Sequence, residues 1–308
     1  MVQLDKISYG GWKNCLKLTG DGLELVVTLD VGPRVIRLGI PGGQNLFKEF
    51  DDQMGKTSGT EWMSFGGHRL WHAPEVFPRT YALDFEPVEH TWKGNVLKLV
   101  QKTEPETGIQ KEIEISIQNK TVHLTHRLIN RNPWAIEVAP WCLSVMAAGG
   151  RLLVPQEDFI PHPDVLAPAR PLVLWHFTRM NDPRFTWGDR LIQMREDSQI
   201  DSKQKFGLRN AQGWAAYQLG KDLFLKAISL IPGGTYPDMG CNCEFFTMPG
   251  FLEVESLGPL VKLETNAGTD HIEKWRVIPN VELPKEEKPL IAALNPHLKD
   301  FGLRTIKV

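Results

Sequence analysis

The amino-acid sequence predicts a mostly β protein, on the basis of three observations. Short segments with alternating apolar and polar residues recur along the chain, as in Ile109–Ile117 (IQKEIEISI). Turns rich in Gly, Pro and Asn separate these segments, as expected between strands. No stretch of ten or more residues shows the apolar spacing of a helix, and we expect at most a short helical turn within Lys285–Leu298.

The predicted strands share high contents of Val, Ile, Leu and aromatic residues. They cover Leu23–Ile40, as two runs broken at Gly32-Pro33, and Val96–Val100, Ile109–Ile117, Val122–Ile129, Ala135–Met146, Leu223–Ile231, Phe251–Leu263 and His271–Ile278. No linker composition or internal repeat interrupts the series. We therefore expect one domain over residues 1–308.

Two long stretches lack a strand pattern. Asp51–Phe85 is rich in Gly, Pro, Trp and His, and Pro155–Arg190 carries six prolines. Long ordered loops are uncommon in compact domains and usually have a function. We predict that a binding site lies where these two loops meet, held by the strands around them.

The bulk composition excludes several classes of function. The net charge of -2 gives no strong field for nucleic acid or an anionic membrane, and no apolar stretch approaches the length of a membrane span. The first residues have no apolar signal-peptide region, and four cysteines fit a reduced compartment, so we expect a cytoplasmic protein. Cys241 and Cys243 are interpreted as small buried side chains. We predict no metal ion and no cofactor.

Tryptophan is abundant relative to tyrosine. The chain has 10 Trp against 4 Tyr. Some of these rings are expected in the core, where each indole N–H needs a partner. The excess also suits a carbohydrate site, because the C–H faces of a pyranose stack on indole rings. The predicted partner is therefore a small-molecule carbohydrate.

Four segments carry a resemblance that covers most of the chain. They are Val31–Phe47 (VGPRVIRLGIPGGQNLF), Phe65–Glu75 (FGGHRLWHAPE), His126–Met146 (HRLINRNPWAIEVAPWCLSVM) and Phe251–Glu264 (FLEVESLGPLVKLE). In this order they resemble the galactose-mutarotase-like superfamily, in a branch distinct from the aldose 1-epimerases themselves. The resemblance implies an all-β fold, a β-supersandwich of large antiparallel sheets, with a sugar site on one concave face.

The resemblance also implies a mechanism with one base and one acid. In the epimerases a Glu takes the proton from the anomeric hydroxyl and a His protonates the ring oxygen, so that the ring opens and closes on its other face. Such groups need a pKa near the working pH. The Glu corresponds to Glu253 or Glu255, about 7 Å apart on one strand face, and we favour Glu255. Alternatively, both face water while Leu252 and Val254 face the core.

The position of the family's His falls near Pro140 or Trp141, neither of which can carry a proton. The leading hypothesis is therefore an isomerase of aldose 1-epimerase type in which Glu255 acts with a relocated His68 or His72. A carbohydrate-binding protein without catalysis is the second hypothesis.

A sugar lyase or hydrolase is the third hypothesis. Hydrolysis would use two carboxylates across the cleft, with Glu75 and Glu255 as the pair to measure. The sequence leaves the oligomeric state and the identity of the sugar open.

Further candidate ligand-binding residues are aromatic or charged and lie in or beside the two loops and late strands. They are Arg69, Trp71, Glu75, Trp141, Trp175, His176, Asp182, Arg184, Trp187, Lys226, Asp238, Glu244 and Glu253. Structural alternatives remain for several of them: Trp187 can pin its own loop, Lys226 can reach water at a sheet edge, and Glu244 can accept backbone N–H groups. His126 is interpreted as a hydrogen-bonded core histidine.

Overall fold

In the computed structural model, the alternating segments form two large antiparallel sheets that pack face to face, which confirms the predicted fold class. The structure describes residues 2–162, 164 and 170–307. Pro163 and Pro168, within the predicted proline-rich loop, lie outside the described residues. The two sheets contain 11 and 10 strands.

The first sheet carries the candidate site. In spatial order its strands are β1 (Gln3–Tyr9), β2 (Trp12–Gly20), β3 (Leu23–Thr28), β4 (Arg34–Gly39), β5 (Gly67–Ala73), β10 (Ile136–Ala147), β19 (Phe251–Leu257), β18 (Cys243–Met248), β15 (Gln204–Leu208) and β12 (Leu172–Leu174), with β20 (Val261–Leu263) paired to β10.

The second sheet covers the inner face of the first. In spatial order its strands are β13 (Phe185–Trp187), β14 (Leu191–Arg195), β11 (Arg151–Pro155), β16 (Trp214–Leu219), β17 (Asp222–Ile228), β21 (Gly268–Ile278), β9 (Thr121–Asn130), β8 (Ile109–Gln118), β7 (Val96–Val100) and β6 (Glu89–Lys93). The main apolar core lies between the two sheets, with the Trp275 ring in edge contact with Phe47 and Phe224.

The C-terminal helix, Glu287–Asp300, is longer than the single turn predicted from the sequence. Its buried face, which includes Leu290, Leu294 and Leu298, packs against the second sheet beside Trp214. Pro296 within the helix obscured its pattern, because proline removes a backbone donor. Within the described part of the chain, the other helical segments are Arg79–Tyr81 and Pro237–Gly240. None of the helices in the described ranges is long and apolar enough to cross a bilayer.

β5 corrects the prediction that Asp51–Phe85 is a loop throughout. All seven residues of β5 are buried, because both faces of the strand are covered. The polar residues on each face hid the strand pattern in GHRLWHA. Gly66 at its entry has φ +94°, and a Cβ there would lie 1.9 Å from the carbonyl oxygen of Lys48. Only glycine fits this close approach.

A buried ion pair lies between the two sheets at their centre. The ammonium of Lys226 on β17 contacts a carboxylate oxygen of Glu273 on β21 at 2.8 Å. Its other two donors reach Ser144 Oγ on β10 at 3.2 Å and the carbonyl oxygen of Val254 on β19 at 3.0 Å. All three ammonium donors therefore have acceptors, and two of these belong to the first sheet.

Histidine side chains extend this polar network from Ser144. His126 Nδ1 lies 3.1 Å from the carbonyl oxygen of His271, which can only accept, so this nitrogen carries the proton. Nε2 of a neutral His126 then accepts from His68 Nε2 at 2.7 Å, and His68 Nδ1 accepts from the Ser144 hydroxyl at 2.9 Å. The hydrogen bonds thus assign neutral tautomers to both rings.

The Glu273 carboxylate also accepts hydrogen bonds from two residues other than Lys226. Trp275 Nε1 donates to it at 2.7 Å, and the Ser256 hydroxyl also donates to it. Ser256 in turn accepts from His271 Nε2 at 2.7 Å. Burial opposes ionisation of Glu273, but the Lys226 ammonium holds the pKa of this carboxyl below its usual range.

We expect stability to fall as the pH drops below about 6.5. Burial lowers the pKa of His271 to about 4 and of His72 to about 2, and lowers those of His68 and His126. Each of these four histidines therefore binds more protons in the unfolded chain than in the folded protein below about 6.5, and removes up to about 1.4 kcal/mol of stability per pH unit. Their sum outweighs Glu253 and Glu244, whose pKa values burial raises and which act in the opposite direction over this range. Urea unfolding between pH 7.5 and 5 measures this slope.

His72→Leu tests whether buried histidines cause this slope. The substitution breaks no hydrogen bond, because neither ring nitrogen of His72 has a partner among the described residues. The substitution should reduce the change in unfolding free energy per pH unit by the contribution of one histidine. His90→Asn, at an exposed position, should leave this slope unchanged. Equal slopes in wild type and His72→Leu would contradict the account.

Lys226→Met should destabilise the protein by about 3–5 kcal/mol, because it leaves the Glu273 carboxylate buried without its cation. The double variant Lys226→Met/Glu273→Gln should recover part of this loss. Lys221→Met, which removes an ammonium that is 67% exposed, is the matched control and should change stability little. Chemical denaturation checks all three, and a Lys226→Met variant as stable as the control would refute the role of the pair.

Candidate functional site

A cleft of about 420 Å³ lies on the outer face of the first sheet, turned away from the second. β5, β10, β19, β18 and β15 form its floor. In the strand register, Arg69 lies opposite Leu143, and Leu143 lies opposite Glu255. Successive side chains of a strand alternate between the two faces, so these residues share the outer face while their neighbours in sequence enter the core.

Aromatic side chains dominate the cleft wall. They are Trp62, Trp71, Tyr81, Trp141, Trp175, Phe177, Phe246 and Phe251. The Trp71 and Trp141 ring centroids are 5.4 Å apart, and Trp62 lies 5.1 Å from Trp71. Trp71 and Trp141 are themselves buried and meet edge to face, whereas Trp62 and Trp175 are partly exposed. An aromatic pocket with a few polar groups is typical of a small-molecule site and suits the C–H face of a sugar ring.

Glu253 is the acidic residue that the sheet itself presents to the cleft. Its side chain is 13% exposed, and it meets Arg69 Nη2 at 3.4 Å. Burial raises the pKa of Glu253 to about 7, and the nearby Glu255 adds to this, although Arg69 opposes it. A carboxyl with this pKa exists in both protonation states near neutral pH, as an acid or base in catalysis requires.

Lys205 forms the second charged group of the cleft. Its ammonium contacts Glu244 at 2.6 Å and Glu255 at 3.4 Å, and lies over the Trp141 and Trp175 rings. Burial alone would lower the pKa of Lys205, but the two carboxylates raise it above its usual value. Burial raises the pKa of Glu244, and one ammonium cannot neutralise two carboxylates.

Glu255, the favoured catalytic residue of the sequence prediction, is fully buried beneath this cleft. It accepts a hydrogen bond from Trp141 Nε1 at 2.8 Å. Glu253 lines the cleft instead, while Leu252 and Val254 face the core. Glu75 lines the cleft and accepts from the Tyr81 hydroxyl. Because Glu255 is covered, the proposed pair of Glu75 and Glu255 does not span the cleft.

His68 and His72 lie on the opposite face of β5 from Arg69 and Trp71. Both are fully buried, and His68 belongs to the network between the sheets. A ligand in the cleft cannot contact either ring, so the predicted catalytic role for these two histidines does not fit the structure. The physical reason is the two-residue period of the strand, which the sequence did not reveal while β5 was interpreted as a loop.

Lys226 faces neither the cleft nor a sheet edge, contrary to both interpretations of the sequence, because it is paired in the core. Donor atoms of His68, His126 and Cys142 lie within 4.8 Å of one another there. The ring nitrogens of both histidines already share hydrogen bonds. A metal ion would displace these bonds and repel the Lys226 ammonium.

Four of the predicted ligands, His176, Asp182, Arg184 and Trp187, lie outside the cleft wall. Arg184 forms a buried bidentate pair with Asp182 at 2.9 and 3.0 Å, and Trp187 Nε1 donates to the carbonyl oxygen of Met180 at 2.9 Å. These contacts fit the structural alternative of a loop held by its own side chains. Trp175 lines the cleft, whereas its exposed neighbour His176 does not.

Asp238 is exposed, with φ 49°, and does not line the cleft, while Glu244 is buried and paired with Lys205. The sequence prediction missed Lys205, Trp62 and Tyr81. Lys205 lies opposite Phe246 across two strands that are distant in the chain. Only the strand pairing brings it to the two glutamates. The tryptophan excess was the available signal for Trp62.

Comparison with known proteins identifies the fold. No family model and no curated protein sequence matches the chain. Among solved structures, a galactose mutarotase-like protein from Lactobacillus casei ATCC 334 has a TM-score of 0.58 at 10% identity, covering 86% of this chain and 100% of that one. A galactose mutarotase-like protein from Clostridium acetobutylicum has a TM-score of 0.56 at 10% identity, with coverages of 91% and 98%.

A TPR-domain containing protein from Parabacteroides distasonis ATCC 8503 is also similar, with a TM-score of 0.57 at 11% identity. The alignment covers 89% of this chain but 49% of that protein, so this chain spans about half its length. At these identities the similarity concerns the fold. The chain therefore has the galactose mutarotase-like fold of two large antiparallel sheets.

Proposed function

We propose that the protein binds a reducing sugar in the cleft and interconverts its anomers, with the carboxyl of Glu253 as the proton-transferring group. The observation that carries this proposal is the largely buried Glu253 side chain at the wall of an aromatic cleft. The galactose mutarotase-like fold supports the sugar-binding part. The proposed catalytic activity is inferred from the residues of the site, because one fold can support many activities.

A single protonated carboxyl can open and close the ring without a histidine. Its hydroxyl gives a proton to the ring oxygen while its carbonyl oxygen takes the proton of the anomeric hydroxyl. The bond from the anomeric carbon to the ring oxygen breaks, a carbonyl forms, and the carboxyl ends protonated. The aldehyde then turns, and the reverse steps give the other anomer. A raised pKa of about 7 keeps Glu253 partly in this form at neutral pH.

Arg69 and Lys205 have supporting roles in this scheme. The Arg69 guanidinium lies over Trp71 at 4.4 Å and contacts Glu253, so it orients the carboxyl and offers donors to sugar hydroxyls. Lys205 keeps its charge, because two carboxylates surround it. It supplies a fixed positive charge at the cleft wall, where it can hold a sugar hydroxyl oxygen.

Glu253→Gln should reduce anomer exchange to the spontaneous rate while sugar binding persists. In wild type the rate should be constant below about pH 7 and fall above it, because the protonated carboxyl is the active form. Exchange NMR across hexoses, pentoses and acidic sugars measures the rate, and saturation-transfer NMR measures binding. Glu89→Gln, at an exposed position on β6, is the matched control.

A non-catalytic carbohydrate-binding protein is the second candidate function. It is favoured by one observation: among the cleft-lining residues that the structure describes, there is no histidine. Binding of a sugar with exchange at the spontaneous rate over the whole pH range would select this function and reject the first. Absence of binding to every sugar would reject both.

Trp175→Ala should weaken sugar binding about fivefold, corresponding to about 1 kcal/mol of lost ring contact. Trp175 lies on a partly exposed segment, so folding should be preserved. Trp134→Ala removes a ring that is 64% exposed and does not line the cleft, and it should leave affinity unchanged. Equal dissociation constants for the Trp175→Ala and Trp134→Ala variants would contradict stacking on Trp175.

A further inference from the structure

A second cavity adjoins the cleft and shares two of its walls. This outer groove has a volume of about 680 Å³ and is lined by Trp62, Tyr81, Phe77, Pro78 and Leu83, with polar groups at its margin. Trp62 and Tyr81 also line the cleft. These two rings therefore border both cavities, and a ligand that occupies both must extend over them.

A path of aromatic contacts, tilted or edge to face, runs from the outer groove to the floor of the cleft. Successive ring centroids are 5.8 Å apart from Phe77 to Tyr81, 5.1 Å from Tyr81 to Trp71, and 5.4 Å from Trp71 to Trp141. Each step is comparable to the length of one pyranose ring. Trp71 and Trp141 at the inner end of the path are buried, whereas Phe77 at its outer end is exposed.

Large apolar side chains are exposed to solvent at the outer end of the path. The Phe77 side chain is 80% exposed and Leu83 is 41% exposed. Large exposed apolar side chains that cluster beside a cleft often mark a binding surface. The same groove contains Glu61, Arg79 and Glu106, whose charged groups can bind hydroxyls around an apolar ring face.

We propose that the ligand is a reducing oligosaccharide, whose reducing-end ring lies at Glu253 and whose next ring lies over Tyr81 and Phe77. This inference rests on the proposed function. Anomer exchange requires a free anomeric hydroxyl, so any extension of the ligand must be attached elsewhere on the reducing ring. The mixture of aromatic faces and charged margins in the outer groove matches a further sugar ring better than an alkyl chain.

The test compares reducing disaccharides with their own reducing-end monosaccharides. Dissociation constants are measured by calorimetry for maltose, cellobiose and lactose against glucose, and exchange NMR follows each at its reducing end. At least one disaccharide should bind about tenfold or more tightly than its monosaccharide. Phe77→Ala should abolish this difference and leave monosaccharide binding unchanged. Ile272→Ala, on a side chain that is 51% exposed on β21, is the control.

The outcomes separate this inference from the proposed function. If monosaccharides bind and exchange but no disaccharide binds more tightly, the inference fails and the proposed function stands. If alkyl- or aryl-substituted monosaccharides gain affinity through Phe77 while disaccharides do not, the oligosaccharide is the wrong ligand. If no sugar binds, the proposed function fails as well.

Discussion

The Lys226–Glu273 ion pair and its hydrogen bonds are the interaction on which the arrangement of the two sheets depends. Lys226 and Glu273 belong to the second sheet, whereas Ser144 and the Val254 carbonyl belong to the first. A one-residue slip of β10 or β19 would remove these acceptors and leave a buried charge unsatisfied, at a cost of several kcal/mol. We infer that the network specifies register, whatever its net contribution to stability.

The same register determines what the cleft contains. Glu253 precedes Val254 on β19, and Leu143 precedes Ser144 on β10, so each strand presents one residue to the network and its neighbour to the cleft. Packing against the second sheet thus positions the carboxyl of Glu253 on a rigid floor. Rigid supports of this kind hold catalytic groups more accurately than loops do.

The sequence predicts the fold class and three of the eight aromatic residues in the cleft wall, Trp71, Trp141 and Trp175, because strand alternation and tryptophan content can be read locally. It does not predict which face of a strand is the cleft face where both faces are buried. For that reason His68 was assigned to the site and Lys205 was missed: one lies in the core and the other lies beside Glu244 through long-range pairing. The choice between Glu253 and Glu255 likewise depended on burial, which reverses the preference drawn from sequence.

The central claim is that the carboxyl of Glu253 performs proton transfer on the anomeric centre of a sugar in the cleft. A crystal structure of the protein with a bound reducing disaccharide tests it most directly. The account predicts the anomeric hydroxyl and the ring oxygen both within hydrogen-bonding distance of the Glu253 carboxyl, with the ring stacked on the aromatic wall. A sugar bound with its anomeric carbon directed away from Glu253, or bound outside this cleft, would contradict it.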